Sequence, residues 1–154
     1  MLIAVFVDVL QSLNVEICVV NGEADNVIAG LANKYECPVL ASDSDFFVFE
    51  LEQGFIHFEQ YFFGKMPDSL FNIRDFMKEF HLKNYELCLL IPALFGNDFI
   101  KTSKSTSIDE YEMFLANLAK HDFPEEYLAN AKHSITSEKF KTAKELYRSR
   151  SFTG

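Results

Sequence analysis

The sequence predicts an α/β fold: a parallel sheet with flanking helices in residues 1–100, then a helical extension in 101–154. Three observations carry that expectation. Two short apolar runs, VEICVV at 15–20 and PVLAS at 38–42, read as buried strands. Between them EADNVIAGLANKYE at 23–36 has helical spacing, so strand, helix and strand follow in the order of a βαβ unit with parallel strands. After residue 100 the apolar residues recur at helical spacing, and no glycine occurs before Gly154.

Residues 2–13 read as a helix, although 2–7 alone would also suit a strand. The run 15–20 ends at Asn21-Gly22, a turn signal. In 23–36 the apolar residues Ala24, Val27, Ile28, Leu31 and Ala32 fall on one helical face, and Cys37-Pro38 ends the pattern. The stretch FFVFELEQGFIHFEQYFF at 46–63 alternates aromatics around Gly54, which predicts a hairpin or two short strands. Helices are expected over 72–82 and 84–95, the second kinked or ended near Pro92. The polar segment KTSKSTS at 101–107 reads as a loop. Three further helices are expected over 108–120, 124–132 and 136–149, with Asp109 and Ser137 as caps.

Composition narrows the classes. The 154 residues are 49% hydrophobic and 24% charged, which suits a folded chain with a sizeable core rather than a disordered one. The longest nearly unbroken apolar run, LCLLIPALF at 87–95, is far short of the ~20 residues that span a bilayer. The apolar start MLIAVFV lacks the basic n-region and cleavage site of a signal peptide. Cys18, Cys37 and Cys88 have no metal-ligand spacing and read as buried free thiols of a reducing, intracellular compartment. The four histidines are scattered, with His57 in a strand-like segment. The net charge of −9 is concentrated in residues 1–100, a poor general surface for nucleic acid.

The acids of that half are not scattered. Glu23 and Asp25 follow the first predicted strand, and Asp43 and Asp45 follow the second. In parallel α/β sheets ligands bind outside the carboxyl ends of strands. Asp98, in GND after a helix, would be a fifth acid at such a rim. Carboxylates gathered this way repel one another unless some are protonated or divalent cations hold them. Oxygen ligands without sulfur or imidazole point to Mg²⁺ or Mn²⁺. Two such ions ~3.5–4 Å apart serve phosphodiester cleavage, one helping to activate water and the other stabilising the leaving oxygen. Singly, each acid site also has a structural explanation. Acids open helices, aspartate is common where a strand enters a turn, and Asn97-Asp98 can terminate a helix.

The ordered set EADNVIAGLA at 23–32, LASDSDFFVFEL at 40–51 and LLIPALFGNDF at 89–99 resembles the internal nuclease region of the flap endonuclease/XPG family, a PIN-like fold. The DSDFFVF form is most similar to the asteroid-homologue branch. The resemblance covers roughly residues 10–100. It implies a partial PIN-like nuclease domain in 1–100 and a metal-dependent, structure-specific endonuclease acting on branched or overhanging DNA, with nuclear residence. It implies Glu23, Asp25, Asp43, Asp45 and Asp98 as ligands of Mg²⁺ or Mn²⁺.

Two departures qualify it. The family supplies two further aspartates from an N-terminal region, and this chain has neither, so the metal site is expected to be incomplete and the chain a truncated or degenerate member. After Asp98 the sequence TSKSTSIDEYEMF lacks the Gly-x-Gly turn with which the family grips duplex DNA. Lys141, Lys144 and Arg148 fall on one helical side and Lys101 and Lys104 flank Asp98, positions for phosphate contact that are more often simply solvated. Phe46, Phe47, Phe49, Phe58 and Phe62 suit core packing better than base stacking. The alternative function is a catalytically inactive scaffold or protein-interaction domain. A receiver-like phospho-acceptor fold is disfavoured by the helical second half.

Overall fold

Apolar spacing places helix α1 at Leu2–Ser12 and helix α2 at Asp25–Lys34, both where the sequence predicts them. The structure, a computed structural model, describes residues 2–61, 70–96, 107–130 and 137–147. Strand β1 is Val39–Ala41 and strand β2 is Phe55–His57. They pair in parallel, with Val39 opposite Phe55, Leu40 opposite Ile56 and Ala41 opposite His57. A parallel pair needs a connection of about a dozen residues or more, and here residues 42–54 supply it through a 3-10 turn at Ser44–Phe47. Helices α3 (Ile73–Glu79), α4 (Tyr85–Cys88), α5 (Leu90–Phe95), α6 (Ile108–Leu118), α7 (Pro124–Asn130) and α8 (Ser137–Leu146) follow. The α/β character of the chain stands.

The sheet departs from expectation in three ways. Residues 15–20 form no strand, and Val15, Ile17 and Val19 are exposed, Val19 at 84%. An apolar run becomes a strand only when a neighbour accepts its backbone bonds. Among the described residues the sheet has two strands, β1 and β2, and none is paired with 15–20. The parallel pair is therefore β1 with β2, not 15–20 with 38–42. The aromatic stretch is neither a hairpin nor two strands among its described residues, because Phe46 and Phe47 lie in the 3-10 turn and β2 is the one strand there. The third departure is burial. Leu40 is 45% exposed, so β1 is covered on one face rather than both.

Gly54 makes the approach to β2 possible. Its φ is +84°, and a Cβ there would meet the carbonyl oxygen of Phe71 at 2.7 Å. No L side chain fits so close a contact. Phe55 and Phe71 exchange backbone hydrogen bonds of 2.8 and 3.0 Å on the side of β2 away from β1. Asn33 ties α2 to the same connection. Its Nδ2 donates to the Glu50 carbonyl at 2.8 Å, and its Oδ1 accepts from the Glu52 amide at 2.9 Å.

On α2 the buried residues are Ala29, Gly30 and Ala32, while Ile28 is 38% exposed. The covered face is thus rotated from the one that apolar spacing selects. Small residues let a helix lie close to its neighbour, and the larger Ile28 lies on the more exposed side. The 84–95 helix divides at Leu89 into α4 and α5. Pro92 cannot donate to the Cys88 carbonyl, so the ladder is interrupted there. Gly96, at φ +90°, closes α5 and donates to the Pro92 carbonyl at 2.9 Å.

Ser107, not Asp109, caps α6. It accepts from the Glu110 amide while Glu110 reaches back to the Ser107 amide, a reciprocal capping box. Ser137 is the first residue of α8. One core cluster joins the two halves. Phe46, Phe49, Phe55, Leu87 and Leu90 share it with Leu115, Phe140, Ala143 and Tyr147, and α8 packs on α5. Fully burying each Leu or Phe side chain among them is worth about 1.5–3 kcal/mol.

Cys88 is buried, but Cys18 and Cys37 are exposed, because 15–20 is uncovered and Cys37 follows a helix end at the surface. Burial pushes the Cys88 thiol up to about 12 and raises the Tyr85 phenol as well. The Tyr85 hydroxyl donates to the Val48 carbonyl at 2.8 Å. Among the described residues no helix is long and apolar enough to cross a membrane.

Candidate metal centre at the end of the parallel pair

The carboxyl ends of β1 and β2 lie side by side, since Ala41 is opposite His57. Past Ala41 the chain leaves the sheet and turns at once. Asp43 is extended, with φ −81° and ψ 125°, and its Oδ1 accepts the Asp45 amide at 2.9 Å. The D-x-D spacing is therefore the spacing of an aspartate cap, in which a side-chain oxygen reaches the amide two residues on. Both aspartates are half-buried. The turn holds two carboxylates at the end of a parallel strand, where ligands bind α/β sheets.

Aromatic packing fixes this turn from behind. Phe46 is 2% exposed, with its ring 5.5 Å from that of Phe49 and 5.7 Å from that of Phe55. Phe47 meets Phe55 and Phe71 edge-on at 4.9 and 4.8 Å and lies parallel to the His57 ring at 6.3 Å. Phe49 packs edge-on against Tyr147 at 5.2 Å, which carries the support into the C-terminal part. Phe46 and Phe49 are core residues, as their density predicts. Phe58 differs, being 58% exposed just past β2. Phe62 lies outside the described residues.

The other acids are placed differently. Asp25 opens α2, where the helix dipole favours a carboxylate, and the capping residue Ala24 offers no side-chain acceptor. Glu23 is exposed in the segment before it. Asp98 lies outside the described residues, as do Lys101, Lys104 and Arg148. Among the described residues no three of Asp, Glu, His and Cys gather as a group able to hold a metal ion. The structure brings Asp43 and Asp45 together and does not bring Glu23 or Asp25 to them as such a group.

The donor chemistry nevertheless suits a hard cation. The Asp43–Asp45 turn offers carboxylate oxygen, and Asn26, next to Asp25, keeps a buried Oδ1 with no hydrogen-bond partner among the described residues. Oxygen donors of this kind fit Mg²⁺ or Mn²⁺ better than Zn²⁺. Asp43 and Asp45 thus fit as part of a ligand set rather than the whole of one. The basic helical side is also altered, since Lys144 pairs with Glu86 at 2.6 Å and is engaged within the protein.

His57 is the functional candidate that spacing does not reveal. Its Nε2 lies 3.0 Å from the carbonyl oxygen of Ser42, the residue that leads into Asp43. Only the parallel register makes that meeting visible, and the sequence signals a hairpin or two short strands there instead.

The chain matches, over residues 1–149, the family described as XPG domain containing. It is 30% identical to Single-strand DNA endonuclease ASTE1 of Mus musculus, in a match covering 92% of this chain and 25% of that protein. It is 33% identical to the protein of the same name from Danio rerio, over 63% of this chain and 16% of the relative. For that of Homo sapiens the identity is 36%, over 62% of this chain and 16% of the relative. The matched part is thus a quarter or less of each of these relatives. No solved structure matches the chain.

Proposed function

Because the chain belongs to the XPG-domain-containing family, we propose that it is a nuclease-type domain that acts on DNA through a divalent-cation site at the carboxyl end of β1. The observation that carries this is the Asp43–Asp45 turn, in which the Asp45 amide holds the Asp43 carboxylate just beyond a parallel strand. Relatives named as single-strand DNA endonucleases support a nuclease-type function and a DNA substrate with single-stranded character, such as an overhang or branch. Work on DNA would place the chain in the nucleus.

Asp43 and Asp45 would hold Mg²⁺ or Mn²⁺, with Asp25, Glu23 and Asp98 as the further acids of the set. The bound cations would supply Lewis acidity and neutralise charge at the phosphodiester. The protein's own part is to hold oxygen donors in place. The Asp45 amide fixes the Asp43 carboxylate, and the aromatic cluster fixes the turn. Among the described residues no three such side chains gather as a group able to hold a metal ion, so little strand cutting is expected from this chain alone.

The test is binding and cutting of a labelled single-stranded oligonucleotide with and without Mn²⁺. Mn²⁺-dependent binding that weakens in the Asp43→Ala, Asp45→Ala double variant, with slow cutting, supports the proposal. Robust Mg²⁺-dependent cutting would show that the acids present already suffice. Binding indifferent to Mn²⁺ and to both substitutions overturns it. One observation favours a second function, a non-catalytic interaction domain: Val5, Phe6 and Val9 of α1 are exposed together with Leu13, Val15 and Val19, which follow it. Exposed apolar surface of that kind marks contact with a partner.

A further inference from the structure

Beyond Ala41 the chain of β1 has no further register partner in the sheet, so the Ser42 carbonyl cannot be satisfied by the ladder. His57 ends β2 opposite Ala41, one residue earlier, and its ring Nε2 takes up that carbonyl at 3.0 Å. A carbonyl oxygen only accepts, so Nε2 carries the proton and donates. Two aromatic rings flank the imidazole. Phe47 lies parallel to it, at 9° and 6.3 Å, and Phe55 meets it edge-on at 6.2 Å. Phe47 belongs to the same 3-10 turn as Asp45.

The contacts form a closed ring. Ser42 leads into Asp43, Asp43 caps the Asp45 amide, the turn continues to Phe47, and Phe47 packs on the imidazole that holds Ser42. We propose that His57 is a positioning residue for the Asp43–Asp45 turn, holding the peptide that enters it through an Nε2–H bond to the Ser42 carbonyl. His57 is not offered as a metal ligand. Its Nε2 is committed to Ser42, and among the described residues it joins no three-residue group that could hold a cation. The consequence for cation binding rests on the function proposed above; the positioning role itself does not. Groups that orient metal ligands change affinity by roughly 10–100-fold when removed.

The experiment compares His57→Phe with His57→Gln in the full chain. Phenylalanine keeps a ring for Phe47 to pack on and removes the donor. Glutamine places an amide N–H near the position of Nε2. Amide hydrogen exchange at Asp45 is read by NMR, with Leu87 and Leu90 amides and the thermal midpoint as controls. Mn²⁺ affinity is read by calorimetry. The expected result is exchange at Asp45 faster by roughly tenfold or more in His57→Phe, and within about threefold of the parent in His57→Gln, with the controls unmoved. Mn²⁺ affinity should fall at least about tenfold in His57→Phe and recover in His57→Gln.

Asp45 exchange unchanged in His57→Phe overturns the positioning role. So does exchange equally fast in both variants, because the donor would then not matter. Acceleration at Asp45 matched by Leu87 and Leu90 would mark a general packing role and overturns it too. If Asp43→Ala leaves Mn²⁺ affinity untouched in the parent chain, the cation site fails, and the exchange result alone still decides the role of His57.

Discussion

Residues 15–20 and 38–42 look alike in the sequence, each a short apolar run with two acids just beyond it, yet they end differently. The second run finds β2, forms a parallel ladder, and delivers Asp43 into a capped turn backed by buried aromatics. The first has no strand beside it among the described residues and stays exposed, with Glu23 beyond it in solvent. An acid pair after an apolar run is therefore not yet a site. What sets the second pair apart is a paired strand beneath and a packed cluster behind.

Substitutions can break that contrast directly. Phe46→Ala removes a ring packed between Phe49 and Phe55 and should destabilise the protein by about 3–5 kcal/mol. Val19→Ser, in the exposed run, should stay within about 0.5 kcal/mol. Urea unfolding of the two variants checks both values, and equal effects would erase the distinction. Asn33→Ala sharpens it by cutting the two bonds that tie α2 to residues 50–52, and should cost about 1–3 kcal/mol.

Cysteine chemistry reports the same difference. Under native conditions an alkylating reagent should label Cys18 and Cys37 and spare Cys88, which mass spectrometry would count. Burial moves the Cys88 thiol from 9.0 to about 12. The unfolded chain therefore loses that proton first as pH rises. The associated stability is present below pH 9 and declines between about 9 and 12, by roughly 1 kcal/mol at pH 10. Tyr85, also raised by burial, adds to the decline from its ordinary value upward. Unfolding free energies of the parent and Cys88→Ala at pH 8 and pH 10 should show a smaller loss in the variant.

Helical periodicity made α1, α2 and the helices after residue 70 legible, because a helix satisfies its backbone within itself. The strands were less legible for the opposite reason. Whether 15–20 pairs, and whether 55–57 runs parallel or antiparallel, depends on distant neighbours that no local pattern encodes. Asp43 and Asp45 could be picked out because their spacing works locally, as the bond from the Asp45 amide to Asp43 shows. His57 could not, since its meeting with Ser42 exists only once the register of β1 and β2 is known. Cap positions slipped for a smaller reason. Ser107 and Asp109 both suit the start of α6, and the reciprocal pair with Glu110 selects Ser107.

The most direct measurement is a Mn²⁺ titration followed in the ¹H–¹⁵N spectrum of the chain. A cation held by the turn should broaden the amides of residues 42–47 first, and Asp43→Ala with Asp45→Ala should abolish that pattern. Broadening that is uniform along the acidic surface, or that survives both substitutions, would contradict a cation site at the end of the parallel pair.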